Sequence, residues 1–128
     1  MIKYFYTVYC TYIGRIFMKK LICIDLDGVL NTYCGNYDEN EIPSLREGAF
    51  EFLANLSKEY RIVIFTTRSR NSAKNWLVRN NLMQFITDIT DVKPRFASII
   101  LDDRALNFDG NFNKAYEKIL KFKPHWKS

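Results

Sequence analysis

A chain of 128 residues, 48% of them apolar, is long enough for one packed domain and too apolar for wholesale disorder. Its formal charge of +5 is a mild basic excess, compatible with anionic substrates but well short of a polybasic tail. Cys10, Cys23 and Cys34 are odd in number and lack CxxC spacing, and the single histidine, His125, stands near the end of the sequence. A disulfide framework, a zinc site and a His-based triad therefore lack support, and a reducing cytoplasm is the expected setting.

Residues 1–17 are aromatic and β-branched, with Lys3 and Arg15 but no acids. Their longest uncharged stretch, Tyr4 to Gly14, is too short to span a bilayer, and no small-residue cleavage site precedes Met18. Met18-Lys19-Lys20 reads as a natural chain start, so 1–17 are taken as an extension ahead of one domain over 18–128. No membrane association is expected.

The apolar run Leu21 to Ile24 suits a strand buried on both faces, as in a parallel sheet. It ends at Asp25, with Asp27 just beyond and Gly28 allowing a sharp turn. Two carboxylates this close repel unless a cation or a shared proton relieves them, and a hard ion such as Mg²⁺ suits the pair. Acidic residues are also common in turns, so the pair alone is equally an ordinary strand end. Asn31 to Pro43 is polar, and Tyr33 and Tyr37 fit a short hairpin flap over the site. Ser44 and Glu47 form a capping-box pattern ahead of a helix running to about Tyr60. Arg61 to Phe65 is the second strand, ending at Thr66 and Thr67. Asn71 to Asn80 is a second helix, Phe85 to Thr90 a weaker strand, and Ser98 to Leu101 a fourth strand ending in Asp102-Asp103. Pro94 holds Lys93 extended in the preceding connection, a tight turn spans 108–112, and Asn113 to Phe122 closes the chain as a helix.

In a parallel α/β sheet all strand carboxyl ends lie along one edge, so Asp25, Asp27, Thr66, Thr67, Lys93, Asp102 and Asp103 should converge. Phosphoryl chemistry uses such a set. A carboxylate nucleophile divides the displacement into two easier steps, and a second acid protonates the leaving oxygen and then activates water. A metal, a lysine and a hydroxyl steady the charged group in transfer.

The pattern resembles the haloacid dehalogenase (HAD) superfamily of phosphohydrolases. Asp25-Leu-Asp27-Gly28-Val-Leu30 is similar to its DxDGxx motif, and Ile62-Val-Ile-Phe-Thr66 to its strand ending in Thr or Ser. Lys93 before Pro94 matches its lysine, and Ile99-Ile-Leu-Asp102-Asp103-Arg104 its strand ending in two acids. The resemblance covers Met18 to about Leu120. It implies a Rossmann-like three-layer αβα sandwich with a mainly parallel sheet, and an Mg²⁺-dependent phosphatase working through an aspartyl-phosphate. By this resemblance Asp25 is the nucleophile and a metal ligand, and Asp27 is the acid/base, lending its backbone carbonyl to Mg²⁺. Lys93 and Thr66 hold the phosphoryl group, Thr67 being the alternative hydroxyl, and Asp103 with Asp102 completes the metal shell.

Only a short stretch separates Leu30 from Ser44, and no long insert follows the second strand, so no large cap domain is expected. Minimal relatives of this kind often act on macromolecular ends or use a partner subunit as cap. The expected substrate is a phosphorylated small molecule, a nucleotide or a nucleic-acid end, with oligomerisation one way to cover the site. Arg68, Arg70, Lys74 and Arg104 would form a basic rim for a long anion, although each also reads as a solvated surface residue. Cys23, inside a strand, reads as packing. A non-catalytic phosphate-binding module and a phospho-receiver domain are the competing classes. The first would favour replacement of Asp25 or Asp27, and the second needs an acid at the end of the third strand.

Overall fold

The computed structural model describes residues 19–127; the expected extension 1–17, with Cys10, lies outside the described residues. Four strands form one parallel sheet: β1 Lys20–Asp25, β2 Tyr60–Phe65, β3 Asp88–Thr90 and β4 Ala97–Leu101. Their order is β3-β2-β1-β4. The two longest apolar runs thus lie side by side at the centre, as burial on both faces demands.

Register decides which side chains form the core. Ile22 pairs with Ile62, Ile24 with Ile64, and Ile64 with Ile89, so five isoleucines share one face. Helices α1, Ala49–Leu56, and α2, Arg70–Arg79, press Ala49, Leu53, Ala73, Trp76 and Leu77 into the same buried cluster. On the opposite face Cys23 and Val63 are buried. Cys23 is packing, as its position in the run implies, and burial pushes its thiol up from the ordinary range. Helix α3, Phe112–Lys121, follows β4 and is capped by Asn111, whose Oδ1 accepts from Lys114 N–H at 3.0 Å. Among the described residues the β4 side is the more open one. Ile99, Ile100 and Leu101 are each more than a third exposed, and Phe112, Tyr116, Ile119 and Leu120 of α3 are exposed.

This is the Rossmann-like α/β fold expected, and among the described residues only 66–69 join β2 to α2. The strand order fixes the ligand side. From β1 the chain steps outward through β2 to β3, then returns across β1 to build β4. The order reverses at β1, and in such sheets ligands sit at the carboxyl ends of the strands flanking that reversal.

Local differences from the sequence reading have identifiable causes. α1 begins at Ala49, not after Ser44, because Gly48 sits just before it with φ 87°, a left-handed conformation outside the helix. Ser44 instead places its hydroxyl 3.2 Å from that of Thr32, and Leu45 pairs antiparallel with Asn31. The stretch between them is a loop rather than a hairpin. Thr32 N–H donates to Ser44 O at 2.9 Å and Arg46 N–H to Leu30 O at 2.8 Å, but no strands run between. β3 is shorter than the run from Phe85, since Met83–Phe85 form a single tight helical turn. No helix among the described residues is long and apolar enough to cross a membrane.

Candidate active site

Asp25 is the last residue of β1, and the chain then coils through Leu26–Leu30. Asp27 is extended there (φ −74°, ψ 126°) and Gly28 left-handed (φ 85°). A side chain at Gly28 would be strained, and its Cβ would fall on the carboxylate of Asp103. Gly28 therefore serves twice, reversing the chain and letting β1 and β4 bring their acids together.

Carboxylate oxygens of Asp25, Asp102 and Asp103 lie within 4.8 Å of one another. Asp25 is pushed up to about 8, first by burial and then by the neighbouring acids Asp103, Asp102 and Asp27. Asp103 Oδ1 is buried with no hydrogen-bond partner. Asp102 is drawn both ways. Burial raises its pKa, but the Arg104 backbone N–H (3.0 Å) and the Lys93 ammonium (3.1 Å) outweigh that and hold it below the ordinary range. Crowded carboxylates with an orphaned oxygen are the donor set of a hard divalent cation, so these residues fit Mg²⁺.

Asp27 is held from two sides. Arg68 Nε donates to its Oδ2 at 2.9 Å, and Asn31 Nδ2 to its Oδ1 at 3.0 Å. Arg68 is almost fully buried, donates to Asp38 O at 2.7 Å, and lies 4.6 Å from the centre of the Tyr37 ring. Asn31, fully buried, also accepts from the backbone N–H groups of Gly28 and Tyr33. Arg46 in turn donates to the carbonyls of Val29 and Asn31. The sequence marks Arg68 only as a rim cation and gives no direct sign of this scaffold with Asn31 and Arg46. The signal available was that a strand-end acid pair needs a nearby positive charge, and Arg68 follows Thr66 by two residues.

Thr66 is buried and Thr67 exposed. The Thr66 hydroxyl accepts from Arg68 N–H at 3.1 Å, bending the chain toward Asp27. Both threonines line a small pocket of about 100 Å³ together with Asp25, Asp27, Asp103 and Arg104. Lys93 joins through its ion pair with Asp102, its ammonium 5.4 Å over the Phe65 ring. All seven expected residues are thus at one sheet edge. The basic rim is only partly as expected: Arg68 is buried on Asp27, whereas Arg70 stays exposed while donating to Asp88 (2.7 Å) and to the carbonyl of Ile89. Lys74 and Arg104 remain exposed.

Neither a curated protein nor a solved structure matches the chain. The family comparison does match: residues 20–121, most of the chain, fit the NLI interacting factor-like phosphatases, and all seven acid, hydroxyl and lysine positions of the site fall inside that span. The chain belongs to the NLI interacting factor-like phosphatase family, within the HAD superfamily.

Proposed function

We propose that the protein is an Mg²⁺-dependent phosphatase that hydrolyses phosphate monoesters through an aspartyl-phosphate on Asp25. The observation that carries this reading is the meeting of Asp25 with Asp102 and Asp103, with Asp27 pinned alongside. An Asp25 oxygen attacks phosphorus and the bond to the leaving oxygen breaks. Asp27 supplies the proton that oxygen needs, then takes one from the water that attacks the acyl phosphate and frees Asp25. Arg68 and Asn31 engage one lone pair on each Asp27 oxygen, which leaves others open toward substrate. Thr66 or Thr67 and Lys93 hold the phosphoryl oxygens. Asp25, Asp102, Asp103 and the Asp27 carbonyl would hold Mg²⁺, which when bound offsets charge on the group in transfer. Membership of a phosphatase family sets the phospho-receiver alternative aside, and the retention of both Asp25 and Asp27 speaks against a non-catalytic module.

The pocket at the acids is phosphoryl-sized, whereas a polar cleft of about 520 Å³ opens beside it and shares Thr66 and Thr67. That cleft leaves room for a leaving group larger than a small alcohol. With no cap among the described residues to enclose a metabolite, contacts along an open surface must supply the binding energy that speeds the chemistry. We therefore favour nucleotides or nucleic-acid ends over sugar phosphates, and a cytoplasmic setting consistent with the free thiols of Cys23 and Cys34. An oligomer in which a partner subunit serves as cap fits the same open site. The deciding experiment is a phosphatase panel of nucleotides, sugar phosphates and phosphorylated DNA or RNA ends, run with Mg²⁺ and with EDTA. Turnover that is metal-dependent in wild type and lost in Asp25→Asn is the expected outcome. A folded Asp25→Asn protein with full activity would reject the covalent route.

A further inference from the structure

After α3 the chain returns to the catalytic edge. His125 Nε2 lies 2.6 Å from the carbonyl oxygen of Gly28, and Trp126 Nε1–H donates to Asp103 Oδ2 at 2.5 Å. The indole meets Tyr33 edge-on, ring centres 5.5 Å apart, and rests over Gly35, where an added Cβ would approach the ring to 3.1 Å. Trp126 thus touches the loop after β1 and the acid after β4, with a fixed place for its ring. None of the phosphatase motifs contains it.

We propose that Trp126 is a positioning residue for the metal-binding carboxylate of Asp103. A free carboxylate can present either oxygen by rotating, and its two oxygens are equivalent. One fixed donor removes that equivalence: the indole occupies Oδ2, and Oδ1 is left buried and without a partner among the described residues. An indole suits this task because its nitrogen can only donate, so it holds the carboxylate without itself competing for a cation. Donors behind a ligand atom commonly tune metal affinity in this way. Tyr33 and Gly35 set the ring, the ring sets Asp103, and His125 anchors the same stretch to the turn that carries Asp27. The assignment rests on the reading that Asp25, Asp102 and Asp103 bind Mg²⁺.

The test is Mg²⁺ binding by calorimetry on wild type and on Trp126→Phe, which keeps a ring and removes the N–H. Trp126→Phe should bind Mg²⁺ about 10- to 100-fold more weakly, and the Mg²⁺ concentration for half-maximal phosphatase activity should rise by the same factor. Unchanged affinity, even with a lower melting temperature in EDTA, would reduce Trp126 to a packing residue and overturn the proposal. Tighter binding with faster turnover would overturn it too, making the contact inhibitory. Wild type that binds no Mg²⁺ would remove the cation reading itself, and this role with it. Should Trp126→Phe not fold, Trp76→Phe leaves Trp126 as the only tryptophan in the chain. Its emission should then shift on Mg²⁺ addition, and an emission indifferent to saturating Mg²⁺ would overturn the proposal equally.

Discussion

Asp25 carries the clearest electrostatic tension in the molecule. Its carboxyl, ordinarily near 3.8, is pushed up to about 8 by burial and by the acids around it. In metal-free protein the unfolded chain loses this proton near pH 4 while the folded chain keeps it until about pH 8. Over that window the folded state binds more protons, so stability falls as pH rises. Melting curves in EDTA should show that decline for wild type and a flatter one for Asp25→Asn; parallel curves would contradict the crowding. Millimolar Mg²⁺ should raise the wild-type transition most at the alkaline end, where the cluster is ionised. Arg68 belongs to the same scale. Breaking a buried ion pair costs about 3–5 kcal/mol, and the Arg68 side chain is 1% exposed against 20% for Asp27. Arg68→Ala should lose much of that stability and most turnover. Arg68→Lys should rescue little, because one ammonium cannot reach both Asp27 and the Asp38 carbonyl in the geometry of the guanidinium fork. A fully active Arg68→Lys enzyme would show that charge alone suffices.

At the scale of elements, Gly28 and Gly48 make a controlled pair. Both have left-handed backbones, but a Cβ at Gly48 meets nothing within 4 Å, whereas one at Gly28 meets Asp103. Gly48→Ala should therefore cost only backbone strain, about 1–2 kcal/mol, with Mg²⁺ binding intact. Gly28→Ala should displace Asp103 and abolish measurable Mg²⁺ binding. Equal effects of the two in calorimetry would refute this division. The contrast also explains what the sequence makes legible. The run Ile62-Val-Ile-Phe specifies a buried strand by its own composition, and four strand ends with acids, hydroxyls and a lysine specify the catalytic edge. The start of α1 was hidden because Ser44-Leu-Arg-Glu47 satisfies a capping pattern locally, while the outcome depends on the backbone angle of Gly48 and on Leu45 pairing with Asn31. Arg68 and Trp126 were hidden for another reason. Their roles come from partners 41 and 23 residues away, and no local pattern reports a contact of that range.

For the whole molecule, Arg70 and Arg104 line the pockets at the carboxyl edge of the sheet, and Lys74 is exposed on α2. If long anions are the substrates, kcat/KM on a phosphorylated oligonucleotide should fall with salt, since screening shortens the reach of these charges. Lys74→Glu and Arg104→Glu should weaken oligonucleotide turnover more than turnover of p-nitrophenyl phosphate. Equal losses on both substrates would reject the nucleic-acid reading and leave the phosphatase assignment standing. The contact between His125 and Gly28 spans 97 residues of sequence. Closing so long a loop is slow compared with forming α1, α2 or the pairing of β1 with β2. In refolding from denaturant, the sheet should therefore form first and the catalytic edge acquire its final shape last. Near-native circular dichroism should precede both the burial of Trp126 and the onset of activity, so that a folded-looking intermediate without phosphatase function separates the two.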